Sequence, residues 1–315
     1  MPDQEIVVYF NGKIIPLSEA KVSILTHALH YGTGVFEGIR AYWREEDEEM
    51  FLVRAEDHYL RWKANCRILQ IEPEMSAHEL AELTAELIRL NHFRTDAYAR
   101  PLAYMNSARI GVKPDGRHAF AIMVVPFGVY LPSENGIHAG VVSWRRVEDA
   151  ALPARGKICS AYVNSVLATA EAHSHGYDEG IILNEDGHVA EGSTCNIFIV
   201  RHGKLITPPP SDNILEGITR DCVMTLARRE MHLDVVERSI DRSELYVADE
   251  AFFTGTAVEV APITRIDHRP VGTGQVGFIT SHLRELYSQA VHGRIADYES
   301  WLKPVYQPVL ESLRR

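Results

Sequence analysis

Short apolar runs separated by turn residues dominate the first part of the chain and predict antiparallel strands. Residues 6–10 and 13–15 flank Asn11-Gly12, a dipeptide that tolerates the positive φ angles of a type I′ hairpin turn. A second strand pair is predicted over 35–43 and 50–53, on either side of an acidic loop. Further runs of the same character predict strands over 97–105, 118–127, 137–144, 180–184, 196–200, 204–207 and, around a tight turn, 251–263.

Other segments show the spacing of amphipathic helices. Apolar residues recur every three or four positions over 55–69 and 76–90, and Ser76 with Glu79 forms a capping box at the start of the second segment. The remaining predicted helices cover 161–175, a segment that begins near 217, and 277–291. Hairpins mixed with helices favour an α+β fold over a doubly wound parallel sheet.

The length of 315 residues predicts about two domains. A turn-rich stretch at 130–136 is the predicted interdomain linker. We therefore expect a smaller N-terminal domain over 1–129 and a larger C-terminal domain over 137–315.

Composition excludes several classes of protein. Hydrophobic residues make up 46% of the chain and charged residues 24%, as in ordinary globular proteins. A net charge of −11 disfavours nucleic-acid binding, which requires a basic face. The longest apolar run, 119–131, contains Pro126 and Gly128 and is too short to cross a bilayer. The N-terminal segment begins with acids and does not resemble a signal peptide, so we expect no membrane association.

The four cysteines indicate a reducing compartment. They show no C-x-x-C spacing and no histidine at a metal-ligand offset, and they are Cys66, Cys159, Cys195 and Cys222. We expect free thiols, no metal site and a cytoplasmic protein.

Lys157 is the candidate nucleophile among the few lysines of the chain. It lies among small and apolar residues, Gly156 before it and Ile158 and Cys159 after it. An apolar pocket disfavours the charged form of a lysine and suits a Schiff-base nucleophile. A structural lysine at a strand end, with its amino group in water, is the competing interpretation, and composition alone favours it.

Four other stretches suggest ligand binding, each with an ordinary alternative. Gly217-Ile218-Thr219 opens a helix and suits a phosphate, although a plain Thr N-cap also fits. The polar turn 254–257 lies between two apolar strands. Glu191 is either a solvated turn residue or, if buried, requires a cationic partner. The glycine-rich stretch 31–40 permits close approach of backbone or ligand, and a bulged strand is its alternative.

Taken in order, six segments resemble the branched-chain aminotransferases among the fold-type IV pyridoxal-phosphate enzymes. The resemblance runs from Phe10 to about Pro270 and is carried by HALHYGTGVFEGIR (27–40), AYARPL (97–102), ARGKICSAY (154–162), HGYDEGIILNEDGHVAEGSTCNIF (175–198), LEGITRD (215–221) and FFTGTAVEVAPI (252–263). It implies two α/β domains with pyridoxal 5'-phosphate at their interface. The implied reaction is ping-pong transamination of L-leucine, L-isoleucine and L-valine with 2-oxoglutarate, giving 2-oxo acids and L-glutamate.

The resemblance also implies cofactor-binding roles. Lys157 would bind the cofactor covalently and then move the substrate's α-proton. Glu191 would face the pyridine nitrogen, and Tyr162 would hydrogen-bond the phenolic oxygen of the ring. The residues implied for the phosphate are Arg61, Gly217, Ile218, Thr219 and Thr256.

Substrate-binding roles follow from the same resemblance. Tyr98 and the backbone N–H groups of Thr256 and Ala257 would hold the α-carboxylate. Arg100, with Tyr31 of the partner subunit, would receive the distal carboxylate of glutamate. The residues implied for the side-chain pocket and its surroundings are Phe36, Gly38, Arg40, Tyr130 and Tyr162. The loop around Val112 would cross a dimer interface, which implies a homodimer.

Two departures from the family pattern leave the substrate preference open. Ile158-Cys159-Ser160-Ala161 follows the lysine where smaller residues are usual, and Arg109 stands where glycine is usual. Arg109 either adds a contact to a substrate carboxylate or points into solvent. The alternatives are a transaminase of D-amino acids or (R)-amines, an aminodeoxychorismate-type lyase, and a binding protein with a structural lysine.

Overall fold

The computed structural model describes residues 5–131 and 133–306, which form two compact units. The first unit contains residues 5–30, 36–128 and 289–306, and the second contains 31–35 and the rest of 129–288. Residues 31–35 and Val129, predicted in the N-terminal domain, belong to the second unit, and residues 289–306, predicted in the C-terminal domain, belong to the first. Residues 1–4 and 307–315 of the predicted domains, and Pro132 of the predicted linker, lie outside the described residues, and the domain division stays a prediction.

Helices and strands are mixed along the chain, as the sequence predicts. The helices are α1 (His27–Tyr31), α2 (Ala55–Ile68), α3 (Ala77–Leu90), α4 (Tyr162–Ser174), α5 (Ile218–Arg229) and α6 (Phe278–Val291). The strands are β1 (Val7–Phe10), β2 (Lys13–Pro16), β3 (Gly34–Phe36), β4 (Ile39–Arg44), β5 (Glu49–Val53), β6 (Ala97–Met105), β7 (His118–Pro126), β8 (Ile137–Arg145), β9 (Glu179–Leu183), β10 (Val189–Gly192), β11 (Asn196–Arg201), β12 (Lys204–Thr207), β13 (Val235–Glu237), β14 (Glu250–Gly255), β15 (Glu259–Ile266), β16 (Arg269–Pro270) and β17 (Leu302–Pro304). Within the described residues, no helix combines the length and apolar content that crossing a bilayer requires.

The first unit is built on an antiparallel sheet in the order β17-β5-β4-β6-β7-β1-β2. Its β1–β2 hairpin turns at Asn11 and Gly12, whose φ angles are 49° and 91°. Both residues therefore occupy the left-handed region that this dipeptide tolerates, which confirms the predicted turn.

The helices α2 and α3 bury their apolar faces in the core of the first unit. Tyr59 and Trp62 of α2 are fully buried, and the Trp62 ring packs edge-on against Phe120 of β7 with ring centroids 6.0 Å apart.

The capping box at Ser76 and Glu79 is present in full, as predicted. It satisfies backbone N–H groups that the first turn of a helix leaves without partners.

The second unit is built on a mixed sheet in the order β10-β9-β8-β15-β14-β11-β12-β13, with β16 paired to β15. Strand β8 lies parallel to both β9 and β15. On one face of β8 and β9, α4 packs Ala168 and Ala172 against Val142 and Ile182. The candidate lysine lies in the connection between β8 and α4, so the sheet and the helix position it from both sides.

The segment after α6 joins the first unit through a buried carboxylate. Strand β17 pairs antiparallel with β5. Glu49 is fully buried, and its Oε1 accepts hydrogen bonds from the N–H groups of Met50 (2.7 Å), Val305 (3.0 Å) and Tyr306 (2.7 Å). The Val305 N–H also donates to the Met50 carbonyl at 2.9 Å, so Glu49 and the β-strand pairing together anchor the returning segment.

We expect Glu49→Gln to lower the free energy of unfolding by about 2 kcal/mol, because an amide oxygen is a weaker acceptor than a carboxylate for the three backbone N–H groups. Urea unfolding followed by tryptophan fluorescence measures the change. The exposed neighbour Glu48 supplies the control, and Glu48→Gln should leave the midpoint where it is. Equal midpoints for both variants would contradict the anchoring role.

Candidate active site

Lys157 and Tyr162 lie side by side in the second unit. Lys157 Nζ donates a hydrogen bond to the Tyr162 hydroxyl at 2.8 Å and lies 5.4 Å from the centre of that ring. A 3₁₀ turn over Cys159–Ala161 leads directly into α4, which begins at Tyr162. The short turn brings the phenol back beside the amino group, so the lysine is held by a specific partner and is half-buried.

Glu191 is a buried carboxylate with donors on both oxygens. Its Oε1 lies 2.8 Å from Arg146 Nη2, and its Oε2 accepts hydrogen bonds from Asn196 Nδ2 and the Leu215 N–H, both at 3.1 Å. Burial raises the pKa of Glu191, while Arg146, the Leu215 N–H and the charge of Lys157 oppose the increase. The sequence left open whether Glu191 is buried; it is, and its cationic partner Arg146 was missed.

The start of α5 is shaped to receive an anion. Gly217 is the N-cap, and no side chain caps this helix, so the alternative of a Thr219 N-cap is wrong. A Cβ on Gly217 would lie 2.0 Å from Asn196 Oδ1, which leaves no room for a side chain. The N–H groups of Ile218 and Thr219 belong to the first turn, where helices lack internal acceptors and carry a positive partial charge.

Asn196 connects Glu191 to this helix start. Its Nδ2 donates to Glu191 Oε2 at 3.1 Å and to the Leu215 carbonyl at 2.8 Å. One side chain therefore fixes the carboxylate relative to the residues just before α5. Asn196 begins a predicted strand and lies in a recognised motif, but nothing in the sequence indicates this role.

The turn between β14 and β15 contains Thr256 and Ala257, both half-buried. Thr254, just before this turn, is opposite Asn196 in the strand register. Its hydroxyl is buried and has no hydrogen-bond partner among the described residues. Buried polar groups are almost always paired in native proteins, so an orphaned hydroxyl here is expected of a site that takes a polar ligand or water.

These groups of the second unit fit pyridoxal 5'-phosphate. Lys157 offers an amino group for an aldehyde, Glu191 offers a charged acceptor for a ring nitrogen, and the α5 start offers N–H groups for a phosphate. The charge of Lys157 lowers the pKa of the Glu191 carboxyl. Within the described residues, no cluster of His, Cys, Asp and Glu could hold a metal ion.

Arg61 lies in the first unit and is bound to a buried carboxylate there. Its Nε lies 2.7 Å from Glu37 Oε1 and its Nη2 lies 3.0 Å from Oε2. His58 Nδ1 and the Gly38 N–H also bind Oε2, at 2.9 and 3.0 Å. Burial by itself raises the pKa of Glu37, but Arg61 and His58 outweigh it and hold that pKa well below its usual range. Glu37 and His58 were not predicted to lie here, and the role of Arg61 towards a phosphate stays a prediction.

Four predicted substrate-binding residues lie together in the first unit. Arg100 Nη2 donates to the Tyr98 hydroxyl at 3.1 Å, and the guanidinium carbon lies 4.7 Å from the Phe36 ring centroid. A Cβ on Gly38 would come within 1.8 Å of the Tyr98 oxygen, so the phenol occupies the space that this glycine leaves open. The Arg100 Nε is buried and has no partner among the described residues. The arrangement combines aromatic walls with one unsatisfied cationic donor.

Arg40 is positioned differently from this group. It is buried, lies 3.4 Å from Asp96, and stacks over the rings of Tyr42 and Phe127, each 5.1 Å away. Phe127 also packs on Tyr98 with ring centroids 4.8 Å apart. Phe127 therefore borders the predicted substrate residues, although it was not predicted to lie among them.

Tyr31 and Tyr130 belong to the second unit, and their predicted roles towards substrate stay predictions. Tyr31 precedes Gly32, whose carbonyl accepts a hydrogen bond from the Ser160 N–H at 3.3 Å. A Cβ on Gly32 would lie 2.7 Å from the Ser160 Cβ, and its φ is 64°. The glycine-rich stretch thus permits close backbone approach at Gly32, beside the residues that follow Lys157.

Arg109 folds back on its own loop in the first unit. Its guanidinium donates to the Lys113 carbonyl, and its Nε lies 3.8 Å from Asp115. Asp115 also binds Arg117 at 2.7 Å and accepts a hydrogen bond from Ser107. The Arg109 side chain is 42% exposed and its charge faces Asp115, and its role towards a substrate carboxylate stays a prediction.

We expect Glu37→Gln to destabilise the protein by about 3 kcal/mol at neutral pH, because it leaves the charge of Arg61 without its buried partner. The pKa of Glu37 is depressed in the folded state, so its contribution is present above about pH 4.5 and is lost as pH falls towards the folded pKa. Urea midpoints measured down to acidic pH should show the variant and the parent protein converging. Glu56→Gln, an exposed carboxyl of the same unit, is the control, and a pH-independent difference would contradict this account.

Comparisons with known proteins identify the family. The class IV amino-transferase family model matches residues 34–266. A probable branched-chain-amino-acid aminotransferase of Aquifex aeolicus (strain VF5) is 51% identical over 299 residues, covering 95% of this chain and 96% of that protein.

Solved structures agree with this result. The branched-chain aminotransferase of Thermoproteus uzoniensis with norvaline is 44% identical with a TM-score of 0.92, covering 96% of this chain and 100% of that chain. The branched-chain amino acid aminotransferase of Thermobaculum terrenum in its PLP-bound holo-form is 40% identical with a TM-score of 0.92, covering 97% and 100%. The predicted α+β fold of this type is confirmed, and the chain belongs to the class IV aminotransferase family, with the branched-chain aminotransferases that its motifs predict.

Proposed function

We propose that this chain transfers the amino group of L-leucine, L-isoleucine or L-valine to 2-oxoglutarate by a ping-pong mechanism with pyridoxal 5'-phosphate. The observation that carries the proposal is the Lys157–Tyr162 contact of 2.8 Å in the same unit as the buried Glu191–Arg146 pair. The relatives support the substrates and the cofactor, because they are named branched-chain aminotransferases and one of the solved structures is a PLP-bound holo-form.

The residues of the second unit divide the cofactor chemistry among them. When bound, pyridoxal phosphate supplies an electron sink for the electrons of the substrate's α C–H bond. Lys157 Nζ would hold the cofactor and carry the α-proton, and the Tyr162 hydroxyl, 2.8 Å away, would keep that nitrogen in place. Glu191 presents a carboxylate to the ring nitrogen. The N–H groups of Ile218 and Thr219 bind the phosphate, for which Thr256 and Arg61 are the further predicted partners.

Alternating substrates explain the mixed character of the residues around Arg100. The aromatic rings of Phe36 and Tyr98 suit a branched apolar side chain. The distal carboxylate of glutamate needs a cation, and the buried Nε of Arg100 has no partner among the described residues. A carboxylate would satisfy this donor in the second half-reaction. Thr256 and Ala257 supply the predicted N–H groups for the α-carboxylate.

Exposed apolar side chains support a homodimer. In the first unit Ile24 is 83% exposed, Ile110 81% and Val112 75%, and in the second unit Val163 and Val166 of α4 are also exposed. Ile110 and Val112 lie two residues apart on one loop, and Val163 and Val166 lie about one turn apart on α4, so each pair forms a local apolar patch that a second copy would cover. A sedimentation mass of one chain at micromolar concentration would contradict the homodimer.

Free thiols fit the proposed cytoplasmic location.

We expect Lys157→Ala to abolish transamination, with a loss of at least about 10⁴-fold, because it removes both the attachment point and the proton carrier. Borohydride treatment followed by peptide mass spectrometry should locate the cofactor on Lys157 in the parent protein. Circular dichroism checks the fold of the variant. Lys204→Ala, which removes an exposed lysine of the same unit, should retain the parent rate. Transamination by Lys157→Ala at the parent rate would defeat the proposal.

Substrate class is tested by a half-reaction without 2-oxo acid, followed through the absorption of the bound cofactor. We expect L-leucine alone to change the spectrum, and D-alanine and (R)-1-phenylethylamine to leave it as it is. A comparable response to either of the latter would favour a D-amino acid or (R)-amine transaminase. No response to any of the three would favour the lyase.

We expect Gly38→Ala to lower kcat/KM for L-leucine by about 100-fold, because its Cβ would displace the Tyr98 hydroxyl from Arg100. The cofactor absorption should be unchanged, since neither Gly38 nor Tyr98 is among the predicted cofactor-binding residues. Gly128→Ala is the matched control, because no heavy atom lies within 4 Å of the added Cβ. Equal kinetics for the two variants would show that this contact does not serve the substrate.

A further inference from the structure

Arg146 is a buried arginine held at three points in the second unit. It directly follows β8, and its backbone N–H donates to the Leu183 carbonyl of β9 at 2.8 Å. Its Nε donates to the Asn213 carbonyl at 3.1 Å, and its Nη2 lies 2.8 Å from Glu191 Oε1. Its side chain is only 7% exposed, so the guanidinium has little freedom to turn away from Glu191.

Arg146 is the only cation within hydrogen-bonding distance of Glu191 in the described part of the chain. The other two donors to this carboxylate, Asn196 and the Leu215 N–H, are neutral. A carboxylate buried this deeply is costly as an anion unless a cation compensates it. Neutral donors stabilise the anion less than a charged partner does.

The other titratable groups near Glu191 compensate it less. Lys157 and Arg220 also lower the pKa of Glu191, but Arg220 lies 2.8 Å from Glu237 and has its own counter-ion. Lys157 donates a hydrogen bond to Tyr162, and its amino group would be used to bind the cofactor. The buried thiol of Cys195 nearby adds no charge, because burial raises its pKa well above the usual value. Arg146 is thus the permanent cation of this cluster.

We propose that Arg146 is a positioning residue for transamination: it keeps Glu191 ionised and fixes its carboxylate where the cofactor's ring nitrogen is received. This inference rests on the proposed function. An ionised Glu191 stabilises a protonated ring nitrogen, whereas a neutral carboxyl group does not. Arg146 therefore acts on the reaction through Glu191, without touching the substrate.

The primary test is Arg146→Met in the holoenzyme, with Arg146→Lys as the charge-conserving variant. We expect Arg146→Met to slow the L-leucine half-reaction by about 100-fold at neutral pH, and Arg146→Lys to recover much of the rate. The lost cation lets Glu191 hold its proton to higher pH, so the Arg146→Met rate should rise towards alkaline pH more steeply than the parent rate. The pH dependence of the bound cofactor's absorption should shift in the same direction. A purely structural role would move neither pH profile.

Arg145→Met is the matched control, because Arg145 is the exposed neighbour of Arg146 at the end of β8. It should leave the rate and both pH profiles unchanged. A response equal to that of Arg146→Met would mean that general loss of positive charge, and not the contact with Glu191, is responsible. That result would overturn the inference.

A double variant tests whether Arg146 acts through Glu191. In a Glu191→Gln background the carboxylate is gone, so adding Arg146→Met should lower the half-reaction rate by less than about twofold further. If Arg146→Met alone does not fold, the double variant, which buries no unpaired charge, can still be compared with Glu191→Gln, in which Arg146 keeps its hydrogen bond to the Asn213 carbonyl. Independent, multiplying losses would overturn the inference. A parent protein inactive with L-leucine would instead contradict the proposed function and leave the cofactor absorption as the test of Arg146.

Discussion

Burying an ionised carboxylate costs several kcal/mol unless its oxygens receive donors and its charge meets a cation. Glu191, 4% exposed on β10, imposes this requirement on the second unit. Its donors come from three separate places: Arg146 just after β8, Asn196 at the start of β11, and the backbone just before α5. The sheet topology meets the requirement because β10 is joined to β8 through β9, while β11 follows β10 in the chain. The position of the carboxylate thus depends on the sheet being formed.

Two glycines of the candidate residues let a polar side chain approach the backbone closely. Gly217 lets Asn196 lie against the backbone at the α5 start, and Gly38 does the same for the Tyr98 hydroxyl in the other unit. In neither case does a positive φ demand the glycine, since Gly217 has φ −69°. Both positions exclude a Cβ by space alone. A polar side chain occupies the volume, so each glycine fixes a polar atom where an ordinary residue would have pushed it away.

Much of this could be predicted from local sequence. The Asn11-Gly12 turn and the Ser76 capping box depend on neighbouring residues, so the pattern was sufficient for both. The motifs around Lys157, Glu191 and Gly217 were recognisable because each is contiguous. Arg146 could not be predicted, because it lies 45 residues before Glu191 and nothing in its own segment distinguishes it from Arg145. The return of β17 to the first sheet was missed for the same reason, since pairing with β5 has no local signal.

The buried carboxylates Glu37 and Glu191 have different partners, and this difference suits Glu37 to stabilising the fold and Glu191 to catalysis. Glu37 and Glu191 are both almost completely enclosed, yet the pKa of Glu37 is lowered while that of Glu191 is raised. Burial penalises both anions, so the difference comes from their partners. Glu37 has a bidentate Arg61 and His58, whereas Glu191 has one bond to Arg146 and two neutral donors. Glu37 therefore stays ionised at neutral pH and holds the groups that bind it in place. Glu191 remains sensitive to a further positive charge beside it, and a protonated ring nitrogen would supply that charge.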